Sequence, residues 1–401
     1  MLLGKLFYKI AAVLIALTAG LAIMLQYDAE TMDETPEWLN DTLLINTFGS
    51  DEPVAGDESP YEQYVCAFDF GARAAASAAV PYRSVLLSYQ DEPVVLFQKN
   101  YFRSGLNENW AANPYAEYAM KKIAVNEADS VILLPEENSY MDFTCAPMII
   151  YDIRKTGTED VGFCDCPTDI ITYYYLRCII SSEGKPQYQL VSESTYGEFT
   201  EYACFNDIEE AEYVFAGASP NGTELAWQQY VRSADPEESG LFVSDGETVQ
   251  KLKYYPYTAN AVCWLDNDKL LFAVREYGNT SADSFFCLYI WDIENDTVQP
   301  LNALWNGDKI NLPDYPAAMA VNKVKTLLAV YMQPTDDWYY SRGTVDFIWI
   351  INLSTGEYFE FKPWNTEYRS DYGYFDAYFI DDGGTIIYEA GDMIYPQLTW
   401  G

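Results

Sequence analysis

The most suggestive chemistry-bearing segment of the sequence is QPTDDWYYSR, residues 333–342, which lies between two predicted strands. Its aromatic rings could stack on sugar rings, and its carboxylates and guanidinium could hydrogen-bond hydroxyls or a carboxylate. A solvated loop whose aromatics pack on a neighbouring element would show the same residue types. We predict a ligand-binding site at five of these side chains: Asp336, Asp337, Trp338, Tyr339 and Arg342.

The chain has 401 residues and contains no histidine, with 61 acidic and 23 basic residues. This excludes Ser-His-Asp and Cys-His hydrolysis, histidine-based zinc sites and haem held by a proximal histidine. Glycoside cleavage needs only two carboxyl groups at a suitable separation, so a carbohydrate-active hydrolase with paired carboxylates is the enzyme alternative. Because acidic residues occur throughout the chain, no pair stands out, and we assign no catalytic residue.

Two acidic turns offer oxygen ligands for calcium, at residues 266–268 and 292–296. Neither has the central glycine and terminal glutamate of the twelve-residue calcium loop, and turn formation explains both. The cysteines lack the Cys-x-x-Cys pairs, with two residues between the cysteines, that build four-cysteine metal sites. We therefore predict no cofactor and no metal site, with calcium left open.

Seven of the eight cysteines fall into two groups. Cys164 and Cys166 lie in a turn-like segment. In an exported protein these two thiols could be oxidised to disulfides. Their possible disulfide partners are Cys145, Cys178 and Cys204. In contrast, Cys263 and Cys287 lie in apolar strands, where a free thiol behaves as a small buried apolar side chain.

The N-terminus combines positive charge with an apolar run. Lys5 and Lys9 precede the apolar residues 10–25, and no further basic residue occurs before Arg73. The positive-inside rule predicts that residues 1–26 are a signal peptide or transmembrane anchor and that the remainder is exported. The formal net charge of −38 disfavours binding to nucleic acid, which is also anionic.

Beyond this segment, residues 27–60 are rich in acids and proline and are predicted to form a linker. Residues 61–401 are predicted to form one folded domain, because the chain is 49% hydrophobic and 16% aromatic, well above acidic disordered chains. Short β-rich runs dominate this domain. The best helix candidate is residues 113–125, which begin with Asn-Pro.

The C-terminal half contains an internal repeat in which a polar turn separates two strands. Its four copies are marked by Leu225, Leu271, Leu328 and Ile386. Continuous apolar strands followed by hairpins occur in the same register, for example at residues 345–361, and such strands require burial on both faces. A spacing of roughly 50 residues is that of one four-stranded propeller blade.

Residues 219–222, Ser-Pro-Asn-Gly, with Leu225, Ala226 and Trp227, resemble the blade motif of TolB-like and WD-repeat-like β-propellers. In residues 212–401 the resemblance rests on the blade motif. In the preceding part of the chain it rests only on the pattern of short β-rich runs. It implies an all-β propeller of four-stranded blades. At roughly 50 residues per blade, the ~340 residues after residue 60 would hold about seven blades, within a range of six to eight. The resemblance implies no activity, because this family hosts scaffolds, binders and hydrolases alike.

The last repeat is too short to form a whole blade before the chain ends at Gly401. We therefore expect a segment near residues 41–70, which overlaps the predicted linker, to complete that blade and close the ring. On this evidence we expect a non-catalytic, extracytoplasmic binding module that is membrane-anchored or secreted. Its partner would be a protein or a glycan.

Overall fold

We analyse a computed structural model that describes 19 stretches of the chain. They are residues 34–48, 63–80, 84–90, 92–98, 110–111, 117–126, 130–133, 141–142, 149–159, 168–180, 186–205, 211–231, 239–252, 258–277, 284–333, 347–362, 375–379, 386–390 and 397–400. The predicted export segment, residues 1–26, lies outside them. Within these stretches, no helix has the length and apolar character needed to span a bilayer.

The first two blades use strands from the N-terminal third of the chain. Blade one contains β1 (Thr42–Phe48), β2 (Gln63–Asp69) and β3 (Ala74–Val80). The next strands are β4 (Val85–Tyr89), β5 (Glu92–Gln98), β6 (Trp110–Ala111), β7 (Glu117–Asn126), β8 (Ser130–Leu133) and β9 (Met141–Asp142). Blade two has the order β4-β5-β7-β8, with β9 paired to β7, whereas β6 joins another sheet.

Blades three and four are regular antiparallel sheets. Blade three contains β10 (Ile149–Glu159), β11 (Thr168–Ile180), β12 (Pro186–Ser194) and β13 (Phe199–Phe205). Blade four contains β14 (Ala211–Ala218), β15 (Leu225–Val231), β16 (Gly240–Ser244) and β17 (Val249–Lys251).

The C-terminal strands form two further blades and complete the first. Blade five contains β18 (Thr258–Asp266), β19 (Lys269–Tyr277), β20 (Ser284–Asp292) and β21 (Thr297–Pro300), followed by a 3-10 helix (Leu301–Leu304) and β22 (Asn311–Leu312), which pairs with β20. Blade six contains β23 (Tyr315–Val321), β24 (Leu327–Gln333), β25 (Phe347–Asn352) and β26 (Tyr358–Phe361). The last strands are β27 (Phe375–Phe379), β28 (Ile386–Ala390) and β29 (Gln397–Trp400).

The ring closes because β29 pairs with β1 and becomes the innermost strand of blade one. Each innermost strand contacts the next, in the order β29, β4, β10, β14, β18, β23 and back to β29. The protein is therefore a six-bladed propeller. Both β1 and β2 fall within residues 41–70, the stretch from which we expected ring closure.

Six hydrophobic clusters fill the spaces between adjacent blades. In β1, Leu43 packs toward blade six and Leu44 toward blade two; in β19, Leu270 packs toward blade four and Leu271 toward blade six. Neighbouring residues of one strand point to opposite faces. The continuous apolar strands therefore bury both faces, which confirms the reason for predicting stacked blades.

Three parts of the sequence prediction need correction. The ring has six blades rather than about seven, although six lay within the predicted range. The repeat at Ile386 is not a blade: β27 and β28 form a separate three-stranded sheet with β6. Residues 117–126 form strand β7 instead of a helix, because pairing with β5 and β8 outweighs the local helical preference.

The two ends of the ring differ. Neighbouring strands are antiparallel, so the turns between strands one and two and between strands three and four of a blade lie at the same end, which we call the short-turn face. The opposite end, the long-connection face, carries the connections between strands two and three and those between blades. The connection from β24 to β25 across residues 334–346 leaves from this second face.

Candidate functional site

The residues that we predicted to bind a ligand fall between two strands, β24 and β25, that end and begin at the long-connection face. Asp336, Asp337, Trp338, Tyr339 and Arg342 lie in the connection between β24 and β25 and outside the described residues. The strands that flank this connection are firmly placed. Leu328, Val330 and Met332 of β24 are fully buried between blades five and six. The ligand-binding site thus stays a prediction, and the strands on either side of it are well anchored.

On the short-turn face, the Ser-Pro-Asn-Gly turn explains why the repeat has its sequence. Ser219 Oγ donates to Asn221 Oδ1 at 2.7 Å and accepts from the Glu224 amide at 3.0 Å. Gly222 has a φ of +72°, and a Cβ there would lie 2.8 Å from Thr156 Cγ2 of blade three. Glycine is required because the turn presses against the preceding blade.

The short turns also join neighbouring blades at four of the six junctions. Between blades three and four, Tyr174 Oη donates to the Gly222 carbonyl at 2.7 Å. The other contacts are Asn221 N to Asn267 Oδ1 at 3.1 Å, Lys325 Nζ to Asp266 Oδ1 at 2.8 Å and Asn322 Nδ2 to Asp41 Oδ2 at 2.9 Å. The polar groups of this face therefore serve mainly to hold the ring together.

Two tryptophans on innermost strands repeat one interaction. Trp264 Nε1 of blade five donates to the Gly217 carbonyl of blade four at 2.8 Å. Trp400 Nε1 of blade one donates in the same way to the Ala320 carbonyl of blade six at 2.9 Å. Each indole thus fixes an innermost strand to the preceding one, and Trp400 does so at the point of ring closure.

An ion pair occupies the junction of blades two, three and four. The Arg154 guanidinium uses all five of its N–H groups: on Asp152 Oδ2 at 2.9 Å and on the carbonyls of Ser88, Ile153, Ala218 and Ser219. Burial raises the pKa of Asp152, against the opposing effects of Arg154 and the Ala218 and Ile153 amides. With no donor left for a ligand, Arg154 has a structural role.

The densest group of titratable side chains outside that junction lies on blade five. Glu276 Oε1 accepts from Tyr289 Oη and from Lys309 Nζ, and Lys309 Nζ also lies 3.1 Å from Tyr289 Oη. Burial opposes ionisation of Glu276, but these two hydrogen bonds, the charge of Lys309 and a hydrogen bond from Cys287 together lower its pKa. The hydrogen bonds to Tyr289 and Glu276 raise the pKa of Lys309.

This blade-five cluster is poorly suited to acid–base catalysis. Burial and the bond to Glu276 raise the pKa of Tyr289, so its phenol stays protonated. Burial raises the pKa of the nearby Cys287 thiol to about 11, and this thiol hydrogen-bonds to Asn311 Oδ1. A nucleophile or base must be readily deprotonated near neutral pH, and neither group meets that condition.

The two turns considered for calcium use their oxygens in local contacts. Asp266 Oδ1 accepts from Lys325 Nζ and the Asn267 amide, and Asp292 Oδ1 accepts from the Asn295 amide and side chain. Across the described stretches, no group of three or more acidic or cysteine side chains is placed to hold a metal ion.

The cysteines divide partly as expected. Cys287 is buried and Cys263 partly buried, and both are free thiols, as are Cys66 and Cys204. Burial raises the pKa of Cys263 to about 12, so this thiol is unreactive. The cysteines for which we expected oxidation, at positions 145, 164 and 166, lie outside the described residues.

No protein-family model and no curated protein matches the chain. The similar solved structures include the β-propeller domain of the trilobed protease from Pyrococcus furiosus, at 10% identity and a TM-score of 0.38 over 82% of this chain and 95% of that one. They also include an α-L-arabinofuranosidase from Fusarium graminearum, at 11% identity and a TM-score of 0.33 over 76% and 91%.

A third similar structure is the acylaminoacyl peptidase from Pyrococcus horikoshii, at 12% identity and a TM-score of 0.31. This match covers 53% of the present chain, which spans about a third (32%) of that peptidase. The six-bladed architecture itself rests on the strand order and packing of the present chain.

Sequence reasoning did not find the Arg154 junction or the blade-five cluster. Asp152 and Arg154 are two residues apart on one strand and therefore share a face, which is a weak signal. Most partners of Arg154 are backbone carbonyls about 65 residues away in the chain, which no side-chain motif reveals. Glu276, Tyr289 and Lys309 come from three separate segments brought together only by the sheet.

Proposed function

We propose that this protein is an exported, non-catalytic β-propeller of the TolB-like or WD-repeat-like kind. In this proposal residues 1–26 hold it in the cell membrane or are cleaved to release it. It binds a protein or glycan partner with its long-connection face. The candidate contact residues are those predicted from the sequence between β24 and β25, among them Trp338 and Tyr339.

One observation carries this proposal: described turns of the short-turn face are already occupied by contacts between blades. The turns of the short-turn face are engaged in contacts between blades, such as Lys325 with Asp266 and Asn322 with Asp41. Connections that are not needed to hold a scaffold together are free to vary and to recognise ligands. The long-connection face offers such segments on rigid strands, which favours it as the recognition surface.

The non-catalytic part of the proposal draws on the titratable groups. Asp152 is held by Arg154, and Glu276 is held by Tyr289 and Lys309, so these carboxylates act as fixed structural charges. A glycosidase requires one carboxyl group with a raised pKa that faces a second, ionised one across the substrate. Asp152 is instead paired with a cation, the Arg154 guanidinium.

The test compares binding by two double variants of the full-length protein. Trp338→Ala/Tyr339→Ala changes the predicted site, and Tyr196→Ala/Tyr358→Ala removes two exposed tyrosines beside short turns. Affinity for captured partners and for a glycan array is expected to fall at least about tenfold in the first variant only. Equal losses of affinity in the two double variants would contradict the assignment of partner binding to the long-connection face. Glycoside turnover abolished by Asp336→Asn or Asp337→Asn would contradict the non-catalytic proposal.

A further inference from the structure

The start and the end of the described chain both lie at the short-turn face. Strand β1 begins there, and its Leu43 pairs with Trp400 near the end of β29. The preceding residues are fixed to the same face. The Asp41 carbonyl accepts from the Phe70 amide at 3.2 Å, and Leu39 is buried between blades six and one. The polypeptide therefore enters the propeller from the short-turn side.

The segment before this entry point is short. Residues 26–33 separate the apolar run at 10–25 from Glu34, the first described residue. A fully extended chain spans at most about 3.5 Å per residue, so this segment reaches no more than roughly 30 Å. That distance is similar to the length of a single blade strand such as β20, at about 3.3 Å per residue.

We infer that the propeller stands with its short-turn face toward the bilayer and its long-connection face away from it. This inference rests on the anchored form of the proposed function. A tether that is no longer than the ring is tall restricts rotation of the propeller about its attachment point. The predicted recognition segment between β24 and β25 is then presented to partners beyond the membrane surface.

The charge of the short-turn face determines its electrostatic interaction with the membrane surface. Its turns carry these acidic side chains: Glu198, Glu224, Asp245, Glu247, Asp268, Glu294, Asp296 and Glu357. Its basic ones include Lys323 and Lys325. Burial and then the nearby Asp245 and Asp268 raise the pKa of Glu224, so like charges are crowded here. An anionic lipid surface repels such a face, and the tether alone keeps it facing the bilayer.

The test measures how far each face lies from a bilayer that holds the full-length chain. A clickable azide amino acid replaces either Glu294, exposed on the short-turn face, or Pro313, exposed beside β22 on the other side of blade five. The native cysteines are left unlabelled. A donor dye is attached, and the protein is reconstituted into phosphatidylcholine vesicles that contain a rhodamine-labelled lipid.

The two positions are roughly 20 Å apart along the blade, so transfer from position 294 is expected to exceed that from 313 by roughly twofold or more. Equal or reversed transfer overturns the orientation and leaves the anchor intact. Failure of the protein to float with the vesicles overturns both the anchor and the orientation. Partner binding by the same preparation is measured separately, so its loss identifies a failure of the recognition function alone.

Discussion

Arg154 Nη2 lies 2.9 Å from Asp152 Oδ2. The same guanidinium donates to the Ser88 carbonyl of blade two and to the Ser219 carbonyl of blade four. The carboxylate is buried and also accepts the Ala218 amide at 2.8 Å. Two charges removed from water are tolerated here because they neutralise each other and because neighbouring backbone carbonyls and amides satisfy their remaining hydrogen bonds. The junction therefore sets the relative positions of blades two, three and four.

Arg154→Met is expected to lower the free energy of unfolding by about 3–5 kcal/mol, because it leaves a buried carboxylate without its cation. Chemical denaturation at neutral pH measures this loss. The matched control is Lys362→Met, which breaks an exposed pair with Glu360 and is expected to cost less than about 1 kcal/mol. Recovery of part of the loss in Arg154→Met/Asp152→Asn would support the mechanism; an equal loss in that double variant would contradict it.

The repeat was predictable because its signals are local. Turn residues such as Gly222 and apolar runs such as β25 act within a few positions, and the copies at Leu225, Leu271 and Leu328 are the second strands of three consecutive blades. Strand β7 was wrongly predicted as a helix because its identity depends on β5 and β8. The blade count was too high because it divided the ~340 residues after the linker by roughly 50 per blade, whereas β27 and β28 lie in a separate sheet.

The candidate site could be predicted only as residue types in a connection. The antiparallel order of β24 and β25, which the repeat pattern anticipated, puts the end of β24 and the start of β25 at the long-connection face. The role of Arg154 could not be anticipated, because it binds backbone carbonyls whose positions are set by the closed ring. Long-range contacts of this kind leave no pattern in one sequence.

Gly246→Ala is expected to destabilise the propeller more than Gly197→Ala, by about 1–2 kcal/mol. Both glycines have positive φ, +93° and +81°, so both substitutions strain the backbone. A Cβ at Gly246 would also lie 2.5 Å from Thr200 Cγ2 of blade three, whereas nothing lies within 4 Å at Gly197. The difference in unfolding free energy isolates the contact between blades; equal effects would show that Thr200 moves aside freely.

Trp400→Phe is expected to loosen ring closure by about 1 kcal/mol, because it removes the hydrogen bond to the Ala320 carbonyl and keeps most of the packing. Hydrogen exchange in β1 and β29 should accelerate selectively, since β29 is a four-residue strand at the chain end. Trp264→Phe removes the equivalent bond inside the continuous chain. It serves as the control, and comparable acceleration of β1 and β29 in that variant would refute a special role for Trp400.

Acid is expected to weaken the junction of blades five and six through Asp266. Its bond to Lys325 lowers the folded-state pKa of Asp266, so the pair contributes stability above the unfolded pKa of about 4. This contribution is lost as the pH falls through the lowered folded-state value. Because both side chains are 45% exposed, the contribution at neutral pH should be below about 1 kcal/mol.

The measurement is the unfolding free energy of the wild type and Asp266→Asn between neutral pH and the onset of acid unfolding. The two curves should differ at neutral pH and converge below about pH 4, where the wild-type carboxylate becomes protonated. High salt should reduce the difference at neutral pH, since exposed pairs are screened. Asp292→Asn is the control for a turn carboxylate whose hydrogen bonds, among the described residues, come from the Asn295 amide and side chain and not from a lysine. A gap between wild type and Asp266→Asn that stays constant with pH would show that Asp266 acts through its turn geometry and not through the Lys325 ion pair.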